Sequence, residues 1–321
     1  MCISFSLRGG DEVRRFHVAD GHCDFLYGMV ERGYDLRKPK ADQAIRLRDM
    51  QEGGVALQLF AAWTDMALRV PPLHQCLAMI DAYERMLDSN EELTPLTKDF
   101  DPTCGKIATV LTVEGGEAIE GSHAMLRTLY RLGVRAMTLT WNDNNELGGA
   151  ALARGNKGLT PLGCEIIDEM CDLGIAIDVS HLSDHAIDDV LERCDAPVFA
   201  SHSNARAVYA SPRSLADDHI REISRRGGTV GVNFYYKQLC KGHTAAISNI
   251  VSHIQHIIDV GGIDCCAIGS DFDGMGRYPV DLKTSRDFPA LGDALLESGL
   301  AESEVEKVMF QNLYGYMLQF V

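Results

Sequence analysis

The sequence lacks a long apolar run, a basic cluster and a recognisable leader. No segment approaches the roughly 18 consecutive apolar residues of a membrane-spanning helix. No basic run is longer than a pair such as Arg225-Arg226, and the net charge is −16, so a nucleic-acid-binding surface is not expected. The opening MCISFSLRGG lacks the charged start and long apolar stretch of a secretory signal. We therefore predict a cytoplasmic protein that binds neither nucleic acid nor membrane.

Paired cysteine motifs are also missing. The ten cysteines include no CxxC pair, the spacing found in many zinc clusters and thiol redox sites. Several lie within apolar or helix-like stretches, among them Cys76, Cys164, Cys171 and Cys265. In a cytoplasmic chain, such thiols are expected to be reduced and buried rather than paired in structural disulfides.

What recurs along the chain is a short apolar run rich in β-branched residues, followed by a helix-like segment. This alternation is typical of parallel α/β folds. The predicted strands are Phe16–Ala19, Val55–Ala61, Ile107–Val113, Ala136–Thr140, Ile175–Val179, Val198–Ser201, Thr229–Asn233 and Cys265–Gly269. The predicted helices are Asp42–Gln51, Leu73–Leu87, Ala118–Leu132, Pro161–Leu173, Asp184–Cys194, Ser214–Arg226, Ala246–Val260, Arg286–Glu297 and Ser303–Leu318.

Eight such units predict an α/β fold of the closed (β/α)8, TIM-barrel type, in which active sites lie at the C-terminal ends of the strands. An open doubly wound sheet is the alternative, but its phosphate-binding fingerprints GxGxxG and GxxxxGK[ST] are absent. Nothing interrupts the alternation long enough to indicate a second domain. We therefore predict a single domain over residues 1–321.

Chemically active side chains directly follow five of the predicted strands. They are His22 and Asp24 in DGHCD, Glu114 in TVEGG, His181 in DVSH, His202 in FASHS and Asp271 in IGSDFDG. Each alone fits an ordinary turn, a helix start or a hydrogen-bonded histidine. A barrel would bring them to one mouth, and three histidines with three carboxylates suit two zinc ions that keep positions open for water.

Two local metal motifs fail on inspection. His181 and His185 have the spacing of an HExxH pair, but no Glu follows His181, and Ser183 is a predicted helix N-cap that leaves His181 outside the helix. The run that starts at Asp271 is similar to a calcium loop, yet its twelfth position is Leu282 instead of Glu.

Together these segments resemble the membrane (renal) dipeptidase family, the zinc dipeptidases of peptidase family M19. The shared pieces are DGHCD, TVEGGE, DVSHLSD, SHSNARAV followed by SPR, VNFYY and IGSDFDG, in this order over about residues 18 to 275. The resemblance covers nearly the whole predicted barrel. It implies a binuclear zinc peptidase that acts on small dipeptides and forms a homodimer.

The resemblance also implies roles for individual residues. His22 and Asp24 would hold one zinc ion, His181 and His202 the other, and Glu114 would bridge both. Asp271 would handle protons, and Arg213 in the stretch Ala210–Arg213 would bind the C-terminal carboxylate of the substrate, with help from Tyr235. Without the resemblance, Arg213 would be taken for a solvated charge that opens a helix.

One position departs from the family pattern. Many relatives have a histidine directly after the Leu-Thr that ends the fourth strand, where it is thought to support the polarised carbonyl, but here Trp141 follows Leu139-Thr140. Asn142, Asn144 and Asn145 follow, and an Asn amide can donate to a developing oxyanion but cannot become cationic. Of these, Asn142 is predicted to contact the substrate. We expect this change to affect rate and substrate range more than reaction class.

The expected reaction is attack on the peptide carbonyl by a metal-bridging hydroxide, with Asp271 as general acid/base. Two alternatives stay open at this point. One is another binuclear barrel hydrolase that acts on a cyclic amide, a lactone or an amino-purine, although the lysine that often bridges metals in such enzymes is missing from Arg135–Leu147. The other is a catalytically silent metal-binding protein, for which Asp271 and Arg213 would have no use.

Overall fold

The computed structural model describes residues 16–321. A ring of short parallel strands forms its centre, and helices pack around the outside. The strands are β1 (Val18–Asp20), β2 (Val55–Trp63), β3 (Leu93–Pro95), β4 (Ile107–Glu114), β5 (Val134–Thr138), β6 (Ala176–Asp178), β7 (Val230–Val232) and β8 (Cys266–Ile268). The opening MCISFSLRGG, whose composition underlies the cytoplasmic prediction, lies outside the described residues.

The ring is closed by two isolated parallel bridges. Seven strands pair in the order β6-β5-β4-β2-β1-β8-β7, while β3 lies beside β4 and was not predicted. Phe199 pairs with Asp178 at the end of β6, and Ala200 pairs with Val230 in β7. Residues 199–200 thus take the place of the sixth strand, and the predicted (β/α)8 barrel is confirmed.

The sixth predicted strand, Val198–Ser201, is nevertheless wrong as a regular strand. Phe199 makes ladder bonds, since its carbonyl accepts from Val179 N–H at 2.8 Å and its N–H donates to Ile177 at 3.1 Å. The Ser201 N–H instead donates to Oδ1 of Asp178 at 2.9 Å. A carboxylate therefore replaces a backbone partner and ends the strand just before His202.

Twelve α-helical segments surround the barrel within the described residues. They are α1 (Phe25–Tyr27), α2 (Leu47–Glu52), α3 (Pro72–Ser89), α4 (His123–Arg131), α5 (Pro161–Leu173), α6 (Asp184–Arg193), α7 (Asp217–Arg225), α8 (Tyr236–Leu239), α9 (Ile247–Gly261), α10 (Phe288–Glu297), α11 (Glu302–Glu306) and α12 (Asn312–Met317). Short π-helical turns follow α1 (Gly28–Arg32) and join α11 to α12 (Lys307–Gln311), and 3-10 turns occupy Gly116–Ile119, Ile263–Cys265 and Ser285–Asp287.

Three predicted helices begin later than expected, two because tertiary hydrogen bonds use their first residues and one because its backbone turns left-handed. Ahead of α2, the N–H groups of Ala44 and Ile45 donate to the Asp273 carboxylate at 2.6 and 3.1 Å. Ahead of α7, the Leu215 N–H donates to the Asn204 carbonyl at 2.7 Å. Ahead of α4, Glu120 adopts a left-handed φ of 48°, which breaks the helix predicted from Ala118 onward.

The barrel interior is narrow and is capped by the C-terminal helical segment. Its lining includes one small residue from most strands, namely Ala19, Ala108, Ala136, Ala176 and Ala267. These pack in one cluster with Phe199 and with Phe310, Leu313, Tyr316 and Met317 from the last helical turns. Asn312, Tyr314 and Tyr316 in those turns donate to backbone carbonyls before strands or in a first strand residue. The segment therefore covers the N-terminal end of the barrel and leaves the C-terminal end open.

The cysteine prediction holds only in part for the described residues. Cys76 and Cys265 are buried, but Cys171 is exposed, because it lies near the C-terminus of α5 where that helix meets solvent. None of the described helices combines the length and apolar character needed to cross a membrane.

Candidate metal centre and substrate cleft

Two strand-terminal aspartates hold the loops that carry the predicted metal ligands. Asp20, the last residue of β1, is fully buried and accepts from Ser270 N–H at 2.7 Å and from Ser270 Oγ at 2.6 Å. Asp178, the last residue of β6, accepts from the N–H groups of Ser180 and Ser201, both at 2.9 Å. The first carboxylate joins the loops after β1 and β8, and the second joins those of His181 and His202.

Glu114 lies at the centre of the converging side chains. As the final residue of β4, it is buried, and its Oε1 lies 3.0 Å from His181 Nε2 and 3.4 Å from His202 Nε2. Its other oxygen, Oε2, lies 3.6 Å from His22 Nε2, which in turn is 3.5 Å from Asp24 Oδ2. All five predicted metal ligands therefore meet at one point, with Glu114 between a histidine pair and a histidine–aspartate pair.

The spacing of these donor atoms fits metal coordination. Zinc–nitrogen bonds of about 2.0–2.1 Å in a tetrahedral arrangement place neighbouring donors roughly 3.3 Å apart. The observed separations of 3.0 to 3.6 Å bracket that value. Among the described residues, two clusters can offer three donors to one ion, His22 with Glu114 and His202, and His22 with Asp24 and Asp271.

Two buried polar atoms of the cluster also lack hydrogen-bond partners among the described residues. They are His22 Nε2 and Asp24 Oδ1. Leaving a buried donor or acceptor unpaired costs about 1–3 kcal/mol, so natural proteins seldom tolerate it without a reason. A cation between these atoms would remove that cost, and the residues present therefore fit a metal.

The protonation states of the residues in the metal-free site also fit a metal site. Burial raises the pKa of Glu114 well above its usual range, and it lowers the pKa values of His181 and His202 well below theirs. The two imidazoles are thus neutral, the state in which histidine binds metal. Burial also opposes protonation of His22, but the carboxylates of Glu114, Asp24 and Asp271 outweigh it and raise its pKa to about 10. A proton on His22 occupies the place that a metal cation would take.

Asp271 lies beside this cluster and is held by Asn233. Asn233 Nδ2 donates to Asp271 Oδ2 at 2.9 Å, and the backbone of Asp271 has a left-handed φ of 63°. Burial raises the pKa of Asp271 to about 7 in the metal-free site, where the nearby charge of Asp24 also contributes. The carboxyl of Asp271 lines the cleft beside the predicted metal ligands, within reach of a proton that a general acid/base would move there.

Arg213 contributes a buried and incompletely paired cation to the same place. Only 5% of the residue is exposed, and its guanidinium donates weakly to Ser203 Oγ at 3.4 Å and to the His202 carbonyl at 3.2 Å. Its Nε has no hydrogen-bond partner within residues 16–321. Burial lowers the pKa of Arg213 to about 10, so the side chain stays charged at neutral pH. It is therefore not the solvated helix-opening charge of the alternative interpretation.

Three of the predicted metal ligands, Asp24, Glu114 and His181, lie at the floor of a cleft of about 350 Å³. Arg213, Asp271, Asn142 and Tyr235 all line this cleft. Asn142 Oδ1 lies 3.0 Å from His181 Nδ1, so the amide orients the outer face of that imidazole. The backbone N–H of Tyr235 donates to Asn233 Oδ1 at 2.6 Å. Substrate contacts by Asn142 and Tyr235 stay predictions.

Several residues of the site were not identified from the sequence. Asn233 ends the run TVGVN, and a polar residue at a strand terminus was the available signal. Asp20 and Asp178 also end apolar runs, but their carboxylates face backbone N–H groups of neighbouring loops, which only the closed barrel brings into range. The rings of Trp63 and Tyr27 line the cleft from β2 and α1, and no motif marks them.

Comparison with known proteins gives a family for the chain. The sequence profile described as membrane dipeptidase (peptidase family M19) matches residues 11–318. Dipeptidase 3 of Mus musculus is 32% identical over 94% of this chain, which spans 64% of the length of that relative. An uncharacterized dipeptidase of Schizosaccharomyces pombe is also 32% identical, over 94% of this chain and 80% of its own.

Solved structures agree with this assignment. A metallo peptidase from Rhodobacter sphaeroides, liganded with a phosphinate mimic of the dipeptide L-Ala-D-Ala, is 27% identical with a TM-score of 0.87 and covers 96% of this chain and all of its own. A dipeptidase of family M19 is 29% identical with the same TM-score, over 95% of this chain and 98% of its own. The chain therefore belongs to the membrane dipeptidase family, peptidase family M19.

Proposed function

We propose that this chain is a zinc-dependent dipeptidase that hydrolyses the peptide bond of small dipeptides, including those with a C-terminal D-residue. The observation that carries the proposal is the convergence of His22, Asp24, His181 and His202 on Glu114 at the floor of a small cleft. The solved relative that is liganded with a mimic of L-Ala-D-Ala supports the stereochemical part.

Two zinc ions would share this donor set. His22 and Asp24 would hold one ion, His181 and His202 would hold the other, and Glu114 would offer one oxygen to each. When bound, such ions lower the pKa of a bridging water to about 7, so that hydroxide becomes available as the nucleophile, and they polarise a carbonyl oxygen. The neutral state of His181 and His202 at pH 7 leaves both imidazoles ready for this role.

Arg213 would bind the carboxylate at the C-terminus of the substrate. Its guanidinium is buried, charged and incompletely paired, so a carboxylate would supply the hydrogen bonds that it lacks. With the carboxylate fixed there, only a short substrate can place its peptide bond above the cluster. We expect dipeptide amides, which lack this charge, to be far poorer substrates than the free dipeptides.

Asp271 would move the protons of the reaction. Asn233 holds one carboxylate oxygen at 2.9 Å, which leaves the other free to face the cleft. Asp271 would take the proton from the attacking water and deliver it to the nitrogen of the departing amine, so that the same group serves as base and then as acid. The hydrogen bond from Asn233 fixes the direction in which that carboxyl acts.

The decisive experiment combines elemental analysis of purified protein with hydrolysis of matched L,L and L,D dipeptides before and after chelation. About two zinc ions per chain and chelator-sensitive release of amino acids, restored by zinc, are expected. Full metal content without cleavage of any dipeptide would instead favour another barrel hydrolase. Absence of both metal and activity would contradict the proposal altogether.

Other expectations about this chain stay predictions. They are its single-domain organisation, its cytoplasmic location and its assembly as a homodimer. Gel filtration of the zinc-loaded protein with light scattering tests the dimer directly, since it gives a molar mass independent of shape.

A further inference from the structure

Three aromatic rings form one side of the substrate cleft. Tyr27 and Trp63 lie edge to face with ring centroids 4.8 Å apart, and Trp63 and Trp141 are 4.9 Å apart. All three are half-buried and line the cleft, and we call them the aromatic wall. Its inner end reaches the predicted metal ligands, because the ring centroids of Trp141 and His181 are 6.3 Å apart.

The cleft is divided between an apolar and a charged side. Leu152, which is 51% exposed, also lines the cleft and adds an apolar surface beside the wall. Elsewhere the lining carries carboxylates, including those of Asp24, Asp271 and Asp273, and the guanidinium groups of Arg32 and Arg213. A substrate side chain therefore meets either flat hydrophobic rings or charged groups, and only apolar side chains gain free energy by leaving water for the rings.

The wall is also rigid before any ligand arrives. Each ring is packed against its neighbour, and the guanidinium of Arg32 lies 5.6 Å above the Tyr27 ring at the outer end. Aromatic side chains have few rotatable bonds, so little conformational entropy is lost when a ligand packs on them. A large apolar group should therefore gain more binding free energy on the wall than a small one.

We propose that the aromatic wall selects dipeptides with a large apolar side chain, aromatic or branched aliphatic, which packs against Trp141 and Trp63. The inference deepens the proposed function and rests on it. It also explains Trp141 at a position where many relatives have a histidine, because an indole in place of an imidazole offers the substrate a larger apolar surface.

The first test is the specificity of Trp141→Ala on two series of dipeptides, Gly-Xaa and Xaa-Gly, where Xaa is Ala, Leu or Phe. In one series, kcat/KM of the wild type should rise from Ala to Phe. In that series, Trp141→Ala should lower kcat/KM by about 10-fold or more for the Leu and Phe dipeptides but by about 2-fold or less for the Ala dipeptide. Leu132→Ala, which alters an exposed apolar residue next to α4, is the matched control and should leave the preference intact. An equal loss for all substrates would overturn the proposal.

The second test does not depend on turnover. Trp63 and Trp141 are the only tryptophans in the sequence, so fluorescence excited selectively from tryptophan reports on the wall alone. Phosphinate mimics of Ala-Ala and of a Phe-containing dipeptide are the probes. The Phe mimic should bind more tightly than the Ala mimic and shift the emission, and Trp141→Ala should remove the difference in affinity.

Equal affinities in the wild type would overturn the proposal even if the enzyme proves to be a dipeptidase. Selective tight binding without dipeptide cleavage would instead contradict only the proposed reaction.

A second inference comes from two cysteines at the opposite end of the barrel. Cys171 lies near the C-terminus of α5, Cys194 is the C-cap of α6, and their Sγ atoms are 2.7 Å apart. Cys171 is exposed and Cys194 is buried. Arg226 donates to the backbone carbonyl of Cys194 and so fixes this end of α6.

We propose that Cys171 and Cys194 form a reversible disulfide when a small-molecule disulfide such as oxidised glutathione is present. Cys171 loses its proton and attacks one sulfur of the oxidant, which breaks the oxidant's S–S bond and releases one glutathione thiol. Cys194 then attacks the Cys171 sulfur, releases the second thiol and completes the bond.

The bond would join α5 to α6 and close a loop that contains β6 and His181. Because both cysteines lie at the helix ends that face away from the cleft, we expect oxidation to raise stability and leave activity unchanged. Removal of the freedom of this loop in the unfolded chain raises the melting temperature by about 4 °C or more.

Mass spectrometry of the zinc-loaded protein after exposure to oxidised glutathione tests this proposal. The intact mass should fall by two hydrogen atoms, a peptide that joins residues 171 and 194 should appear, and dithiothreitol should reverse both. Cys171→Ser should abolish the cross-link and the rise in melting temperature, whereas Cys104→Ser, at another exposed cysteine, should change neither. An unchanged mass or a bond between other cysteines would overturn the proposal.

Discussion

The two ends of the barrel differ in how completely their polar groups are satisfied. At the N-terminal end, Tyr314 Oη donates to the Phe100 carbonyl at 2.8 Å, and Tyr316 Oη donates to the Pro197 carbonyl at 3.2 Å. Asn312 Nδ2 donates to the carbonyls of Ile263 and Cys266, both at 2.7 Å. Each of these side chains donates to a backbone carbonyl that lies before a strand or in its first residue.

At the C-terminal end, the cleft contains buried polar atoms without partners and backbone in unusual conformations. His22 Nε2, Asp24 Oδ1 and Arg213 Nε are unpaired within the described residues. His181, Asp271 and Asp273 are non-glycine residues with positive φ. Such features lower stability and persist where the site uses them. Chemistry and stability are thus located at opposite ends, and substitutions at each end should affect different measurements.

The largest effect is expected from Glu114→Gln, which keeps the shape of the side chain but removes its charge. Because both halves of the cluster meet at Glu114, zinc content should fall and kcat/KM should drop by about 1,000-fold or more. The metal-free variant should melt at the same temperature as the metal-free wild type or higher, because burial of an ionised Glu114 is unfavourable. Elemental analysis and calorimetry with and without chelator check this. A lower melting temperature of the metal-free variant would show that Glu114 supports the fold.

Asp271→Asn separates proton transfer from metal binding. The variant should retain zinc and lose about 100-fold or more in kcat, since general acid/base catalysis contributes roughly that much. Asp293→Asn, at an exposed carboxylate on α10, should leave both quantities unchanged. Loss of zinc together with activity would make Asp271 a metal ligand, and the proton-transfer role would then be wrong.

Leu313→Ala addresses the opposite end of the barrel. Leu313 is 2% exposed and packs against the small residues that line the barrel interior. Its truncation should lower the free energy of unfolding by about 2–5 kcal/mol, because it leaves a cavity. Activity per folded molecule should not change. Gln311→Ala, at an exposed position of the same segment, is the control for urea denaturation. A parallel fall in kcat/KM of the folded enzyme would contradict the separation of the two ends.

Much of this organisation could be predicted from the sequence because it depends on local pattern. Apolar runs mark the strands, and the side chains that follow them, such as His22 and Glu114, mark the active end. The barrel itself explains why residues far apart in sequence meet. The start of α2 could not be predicted, since it depends on Asp273, which lies more than 200 residues away and accepts from Ala44 and Ile45.

The parts of the site that were missed share a different cause. Asn233 acts through a carboxylate in the loop after the neighbouring strand, and Trp63 acts through rings contributed by α1 and by the loop after β5. These partners become neighbours only after the barrel closes, so neither periodicity nor a short motif reveals them. The sequence marked Trp141 as a departure from the family pattern. Its packing against Trp63, which only the structure shows, indicates what the side chain does there.

The smallest expected effect sharpens the comparison most. Tyr316→Phe removes one hydroxyl at the N-terminal end and leaves the Pro197 carbonyl without that donor. The free energy of unfolding should fall by about 1 kcal/mol, the usual net contribution of one hydrogen bond. Because the ring still packs at a tilt against Phe199, with centroids 4.9 Å apart, kcat/KM and zinc content should match the wild type. Urea denaturation beside Leu313→Ala measures the difference. A larger loss than that of Leu313→Ala would mean that hydrogen bonds, rather than apolar packing, hold the C-terminal segment against the barrel.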